Sequence, residues 1–308
     1  MESGFPILSR ISNPEQAKCR PEFTRYVRII YFGKFREAIK TDLFKASAFH
    51  ALLLVFAGMV VLVLGDMLVS GLASTETGPL LQSMLRLLIG MAILVFQIRA
   101  GWGREAGVTR LATTGKKRWW IAFLPLSFFL LANLNNLDGA SLHITPASLV
   151  GWIATNASIG FVEETLFRGF LLFILLNVWG KTRRGLIAAC VVQALFFGSF
   201  HVLNLLSGAP LIPVLFNAVF ATIVGVAFGA AYAYSGSLWT CVVLHSAIDM
   251  AGSANEAFGS VEQVAEKSFS LSVFIPSLVV VVFVSLIPSL WFAYRSELRS
   301  ETKLNTIQ

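Results

Sequence analysis

From residue 48 onward the chain is written as long apolar runs separated by short polar ones. The apolar positions show neither the period-two alternation of a half-buried strand nor the narrow stripe of a surface helix. A run of about 20 apolar residues lets a helix cross a hydrocarbon layer of about 30 Å. Such runs predict eight spans, at 48–71, 80–98, 118–137, 147–179, 186–206, 210–233, 238–252 and 270–294. The missing alternation argues against a barrel, so the expected fold class is all-α, a polytopic membrane helical bundle. The fourth span is too long for one upright crossing; it either tilts or starts as an interfacial segment near Pro146 and dives at about Gly160. The seventh is short, and Gly236 just before it predicts a tight turn from the sixth.

Composition agrees with this pattern. Hydrophobic residues make up 56% of the 308 and charged ones only 13%, the balance of an integral membrane protein. The net charge of +7 does not call for a nucleic acid, because the basic residues collect in polar connections that would face anionic headgroups. They lie in the arm before residue 46, between Arg99 and Arg118, at Lys181, Arg183 and Arg184, and in the tail at Arg295, Arg299 and Lys303. The other connections carry Glu76, Asp138, Glu256, Glu262 and Glu266 against Lys267 alone. With eight spans the basic segments all fall on one side, which the positive-inside rule assigns to the cytoplasm together with both termini. The chain divides into a basic cytoplasmic arm at 1–46, whose segment 25–40 has the character of an amphipathic surface helix, a membrane domain at 47–295 and a cytoplasmic tail at 296–308. Cys19, Cys190 and Cys241 have no metal-ligand spacing and read as small apolar fillers.

The stretch FVEETLFRGF, 161–170, sets Glu163, Glu164 and Arg168 inside an apolar span. An ionised side chain at the centre of a membrane helix costs roughly 2.5 to 3.5 kcal/mol, so the three facing lipid would cost on the order of 10 kcal/mol. They must face protein or water. Glu164 and Arg168 are four residues apart and share a helix face, whereas Glu163 points about 100° away and is left free. A buried ion network that only fixes helix packing would satisfy these facts. Two other spans add to them: FFGSFHVLN places Phe197 and His201 on one face, and VLHSAIDMAG places His245 and Asp249 on one face. His50 and His143, the remaining two of the four histidines, lie near predicted membrane boundaries and read as interfacial. Asp66 and Arg86, each near the outer end of its span, read as a mutual pair or as snorkelling side chains.

The motifs EETLFR, FGSFH and HSAID, in this order and all in membrane helices, resemble the CAAX prenyl protease 2 and bacteriocin-processing family of intramembrane proteases, also called lysostaphin resistance protein A-like or abortive-infection proteins. The resemblance spans about 145–252. It implies that Glu163 and His201 activate the attacking water, that His245 and Asp249 stabilise the oxyanion, and that Glu164 and Arg168 hold the first pair in place, with Phe197 in support. Asp249 stands where characterised prenyl-protein proteases tend to have Asn. An ionised aspartate would repel an oxyanion, so the residue carries a proton, or orients His245 as an acceptor, or helps to bind a metal. The implied partner is a membrane-associated peptide or protein within a bilayer, the expected location a bacterial inner membrane. No cofactor is expected, because the helical His-Glu-x-x-His arrangement is missing; a zinc would have to use Glu163, His201 and His245 from three helices. The competing readings are a non-catalytic scaffold or immunity factor of the same fold, and a proton-coupled transporter built on the same intramembrane acids and histidines.

Overall fold

The structure is a computed structural model that describes residues 48–72, 77–111, 117–135, 137, 142–259 and 271–298. The expected basic arm, the acidic positions Glu76, Asp138, Glu262 and Glu266, and the tail from Arg299 lie outside the described residues.

Among the described residues there are eight helical rods and no strand. Helix α1 is Ala48–Leu72 and α2 is Gly78–Arg99. A 3-10 turn, Trp119–Phe123, leads into α3, Leu124–Asn135. Helix α4, Pro146–Glu164, continues through a π-helical stretch, Thr165–Leu172, into α5, Phe173–Trp179. Helix α6, Arg183–Phe200, tightens into a 3-10 turn at His201–Ser207. Then come α7, Leu211–Ser235, and α8, Leu238–Phe258. The last rod is α9, Leu271–Val281, a π-helical stretch, Val282–Leu286, and α10, Ile287–Arg295. The eight rods coincide with the eight expected spans, and the protein is an integral membrane helical bundle.

Local chemistry explains the boundaries. The fourth rod does not break at Gly160. It starts from a capping box in which Thr145 accepts from the Ser148 amide and Ser148 from the Thr145 amide, with Pro146 in the first turn. The seventh runs past 252 to Phe258, because its last turns are small or helix-tolerant residues and Phe258 packs its ring 5.2 Å from that of Trp152. The turn between α7 and α8 is as tight as expected: Gly236 adopts φ 67°, a conformation open to glycine, and its N–H donates to the Tyr232 carbonyl at 2.6 Å. In the last rod the π-helical stretch comes immediately before Pro288, whose ring withholds a backbone donor.

Five rods are long and apolar enough to cross a bilayer by length and composition, namely α1, α2, α6 with its 3-10 turn, α7 and the last rod. Helices α4 and α8, which carry Glu163, Glu164, His245 and Asp249, are not among them. They pack on each other, with α2 on the other side of α4 and α3 on α8, while α6 packs on α7. Leu53, Phe56, Leu64, Leu87 and Leu88 on α1 and α2 are exposed and suit a lipid surround. Because lipid is as apolar as leucine, close packing has to hold such helices together, and small residues permit it. A Cβ on Gly160 of α4 would strike Ser246 of α8, and one on Gly198 of α6 would meet Thr222 and the Ala218 carbonyl of α7.

Candidate active site

The π-helical stretch begins directly after Glu164 and has Arg168 in its middle. Its widened turns are fully buried: Thr165, Phe167, Arg168, Leu171 and Leu172 expose nothing, and such bulges are common at functional positions. Glu164 and Arg168 pair across one turn, Nη1 to Oε1 at 2.6 Å, both side chains 0% exposed. The guanidinium lies between two rings, its Cζ 4.8 Å from the centroid of Phe197 and 5.2 Å from that of Phe228. Its Nη2 reaches the Gly225 carbonyl at 3.5 Å, and Gln193 Nε2 donates to the same carbonyl at 2.8 Å. Gly229 leaves the room for that amide, since a Cβ there would lie 2.7 Å from Gln193 Nε2.

The Oε1 atom of Glu164 has a second partner, His245 Nδ1, at 2.6 Å. A carboxylate can only accept, so this nitrogen carries hydrogen. The resemblance has Glu164 and Arg168 steadying Glu163 and His201; the contacts found here run from Arg168 through Glu164 to His245. Glu164 also occupies the acceptor place that sequence offers to Asp249. At the other ring nitrogen, Nε2, the neighbours are Asp249 Oδ2 at 3.4 Å and Glu163 Oε2 at 3.8 Å. Helix α8 is set for this contact by the Gly160 and Ser246 approach, one residue beyond His245.

His201 stands where α6 changes to 3-10 geometry. Its Nδ1 donates to the Phe197 carbonyl at 3.3 Å, which leaves Nε2 as the nitrogen not engaged by that bond. Phe197 joins the parts: its ring is 5.0 Å from Phe167, 5.1 Å from His201 and 6.2 Å from His245. Glu163 and His201 line a cavity of about 620 Å³ with Asn204 and the apolar Met59, Leu62 and Val162. His245 and Asp249 are not in its lining; they meet the site through Glu163. The expected mutual pair of Asp66 and Arg86 is present, Nη2 to Oδ2 at 2.5 Å, and both residues belong to the wall of this cavity.

Among the described residues no group of three His, Cys, Asp or Glu side chains is placed to hold a metal ion, while the Nδ1 atoms of His245 and His201 are engaged by Glu164 and by the Phe197 carbonyl and leave each Nε2 to face the site. Cys190 and Cys241 are buried free thiols.

Sequence reasoning missed Phe228, one of 26 phenylalanines with nothing in the pattern to single it out, although its ring lies 5.5 Å from His245 and faces Arg168. It also missed the network of Trp152, Asn156 and Ser253, in which the Ser253 hydroxyl reaches the Asp249 carbonyl at 2.7 Å, Trp152 donates to Ser253 at 3.0 Å and Asn156 Oδ1 is 3.3 Å away. Asn133 donates from α3 to the Ile248 carbonyl at 3.2 Å.

Glu164, Arg168 and His245 thus form one connected group beside Glu163 and His201, which border the cavity. Residues 145–251 match the family model described as Rce1-like, type II CAAX prenyl endopeptidase Rce1-like. The match covers all three motifs and supports the resemblance read from them. No curated protein and no solved structure matched the chain.

Proposed function

We propose that the protein is an intramembrane endopeptidase that hydrolyses a peptide bond of a membrane-associated protein or peptide, in a bacterial inner membrane, with water activated by Glu163 and His201. The observation that carries this reading is the shared cavity: a glutamate and a histidine from two helices border one half-open cavity. His201, with Nδ1 committed to Phe197, offers Nε2 to a water proton, and Glu163 is the carboxylate beside it. His245 Nε2 faces two carboxylates, Glu163 and Asp249. Three acceptors cannot converge without a shared proton, and that proton is what His245 and Asp249 bring to the oxyanion. Glu164 fixes the His245 ring, and Arg168 neutralises Glu164. The chemistry requires no metal, so activity should survive dialysis against chelator and gain nothing from added zinc; loss on dialysis with recovery on stoichiometric zinc would instead establish a metallopeptidase.

The decisive experiment is substrate capture with Glu163→Gln, comparing the termini of captured proteins in cells that hold the wild-type or the variant enzyme. Intact substrates with Glu163→Gln and shortened ones with wild type are expected. Identical termini in both strains would remove Glu163 from the role of base.

A further inference from the structure

The cavity that contains Glu163 and His201 extends in one direction along the bundle and is plugged in the other. Gly169 of the π-helical stretch, Gln97 of α2 and Leu238 of α8 fix a common level, since a Cβ on that glycine would lie 3.4 Å from Gln97 Nε2 and 3.2 Å from Leu238. Glu163 stands six residues before Gly169 and Arg86 eleven before Gln97, which at 1.5 Å per residue puts them about 9 and 16 Å from that level. Both lie on the same side of it, because a Cβ on Gly90 of α2 would strike Phe161 of α4 and one on Gly160 would strike Ser246 of α8. The cavity continues in this direction to Met67, Gln82 and Asn204, near the end of α1, the start of α2 and the turn after α6. On α8 the residues one and two turns beyond His245 in this direction are Asp249, its side chain 30% exposed, and Ser253.

Toward the common level the same face of α8 carries Cys241 and Leu238, both 0% exposed. Past it the described residues form a plug. Trp102, Phe173, Leu171 and Leu172 are fully buried, and the Trp102 ring lies 5.7 Å from those of Phe96 and Phe173. Gly107, at φ 74°, fits so closely on the turn between α7 and α8 that a Cβ would lie 2.4 Å from the Gly236 carbonyl oxygen. Arg99 and Arg104 belong to this plugged end, and positive residues are retained on the cytoplasmic side.

We infer that water and the bond to be cut reach Glu163 and His201 from the extracytoplasmic side, so that the substrate is a segment already exported across, or inserted into, the membrane. Translocation or insertion is then the class of step that supplies this substrate. The identity of the entering segment as a substrate rests on the protease reading; the sidedness of the cavity does not.

The test uses the full chain with Cys19→Ser and one introduced cysteine. Val63→Cys and Asn204→Cys place it on the cavity wall, while Leu64→Cys places it at an exposed position of α1 outside the lining. Right-side-out spheroplasts and inverted membrane vesicles are treated with a charged, membrane-impermeant methanethiosulfonate, and surviving thiols are tagged with a polyethylene glycol maleimide after denaturation. Buried Cys190 and Cys241 serve as constant tags. Only a thiolate reacts, so a cysteine held in lipid is spared. Val63→Cys and Asn204→Cys should lose their tag in spheroplasts and keep it in inverted vesicles, where Arg184→Cys loses it instead; Leu64→Cys should keep it in both. Loss of the tag at the two cavity positions in inverted vesicles, or its retention there in both preparations, would overturn the inference. Cleavage is scored separately, by substrate capture with Glu163→Gln. Reaction from outside alone in a protein that cleaves nothing would remove the protease reading and leave the sided cavity, whereas cleavage by a protein whose cavity reacts from the cytoplasmic side would do the reverse.

Discussion

Glu163 and Glu164 are adjacent in the chain and opposite in surroundings. Glu164 is 0% exposed and holds Arg168 and His245 on a single oxygen, whereas Glu163 is 21% exposed and borders the cavity. Their substitutions should therefore fail differently. Glu164→Ala strands Arg168, and Arg168→Ala strands Glu164; either should lower stability by about 3 to 5 kcal/mol. Glu163→Gln and His201→Ala remove no buried pair and should leave the unfolding temperature in detergent close to that of wild type while abolishing cleavage. A Glu164→Ala protein as stable as wild type would show that the pair does not hold the helix. Half of this contrast is legible in the sequence. The four-residue spacing of Glu164 and Arg168 fixes their pairing on any helix, but His245 lies 81 positions from Glu164, and no helical periodicity reports which face of α8 meets which face of α4.

At the scale of elements, five rods were legible because their apolar runs are long enough to force a helix in lipid, where backbone groups have no other partner, and the other three from shorter or less apolar runs of helical length. The departures from α geometry were not. The π-helical stretch at Thr165–Leu172 and the 3-10 turn at His201–Ser207 follow no local residue pattern, and both flank site residues. Glycines show how such positions are held. Gly160 lies against Ser246, beside His245, while Gly151, on the same helix, has nothing within 4 Å of a built Cβ. Gly160→Val should push α8 away from α4, with a cost of about 1 to 3 kcal/mol in stability from overpacking and a larger proportional loss of cleavage, because the His245 and Glu164 contact opens. Gly151→Ala should be neutral or stabilising by up to about 1 kcal/mol. Thermal unfolding and cleavage assays on the two variants decide it; equal behaviour would mean that the α4 and α8 approach does not set the site.

At the scale of the whole molecule, contacts gather several basic connections at one end of the bundle. Trp239 Nε1 donates to the Val108 carbonyl at 2.8 Å and the Tyr232 hydroxyl to the Ala106 carbonyl at 3.1 Å, which seats the segment after α2 on the turn between α7 and α8. The ring of Tyr234 lies 5.0 Å from that of Phe292, so the end of α10 joins the same group. Arg183 donates to the Ser296 carbonyl and adds the turn between α5 and α6. Arg99, Arg104, Arg110, Arg183, Arg184 and Arg295 therefore share one end, and positive residues are retained on the cytoplasmic side. We propose that the number of crossings is even and that both termini are cytoplasmic. Native Cys190 and Cys241 are buried, so with Cys19 replaced by serine a single introduced cysteine gives a clean signal. A membrane-impermeant maleimide added to intact cells should label Glu262→Cys and leave Lys116→Cys and Arg184→Cys unlabelled until the membrane is opened. Labelling of Lys116→Cys from outside, with Glu262→Cys protected, would invert the molecule and move the end that carries these arginines to the opposite face of the membrane.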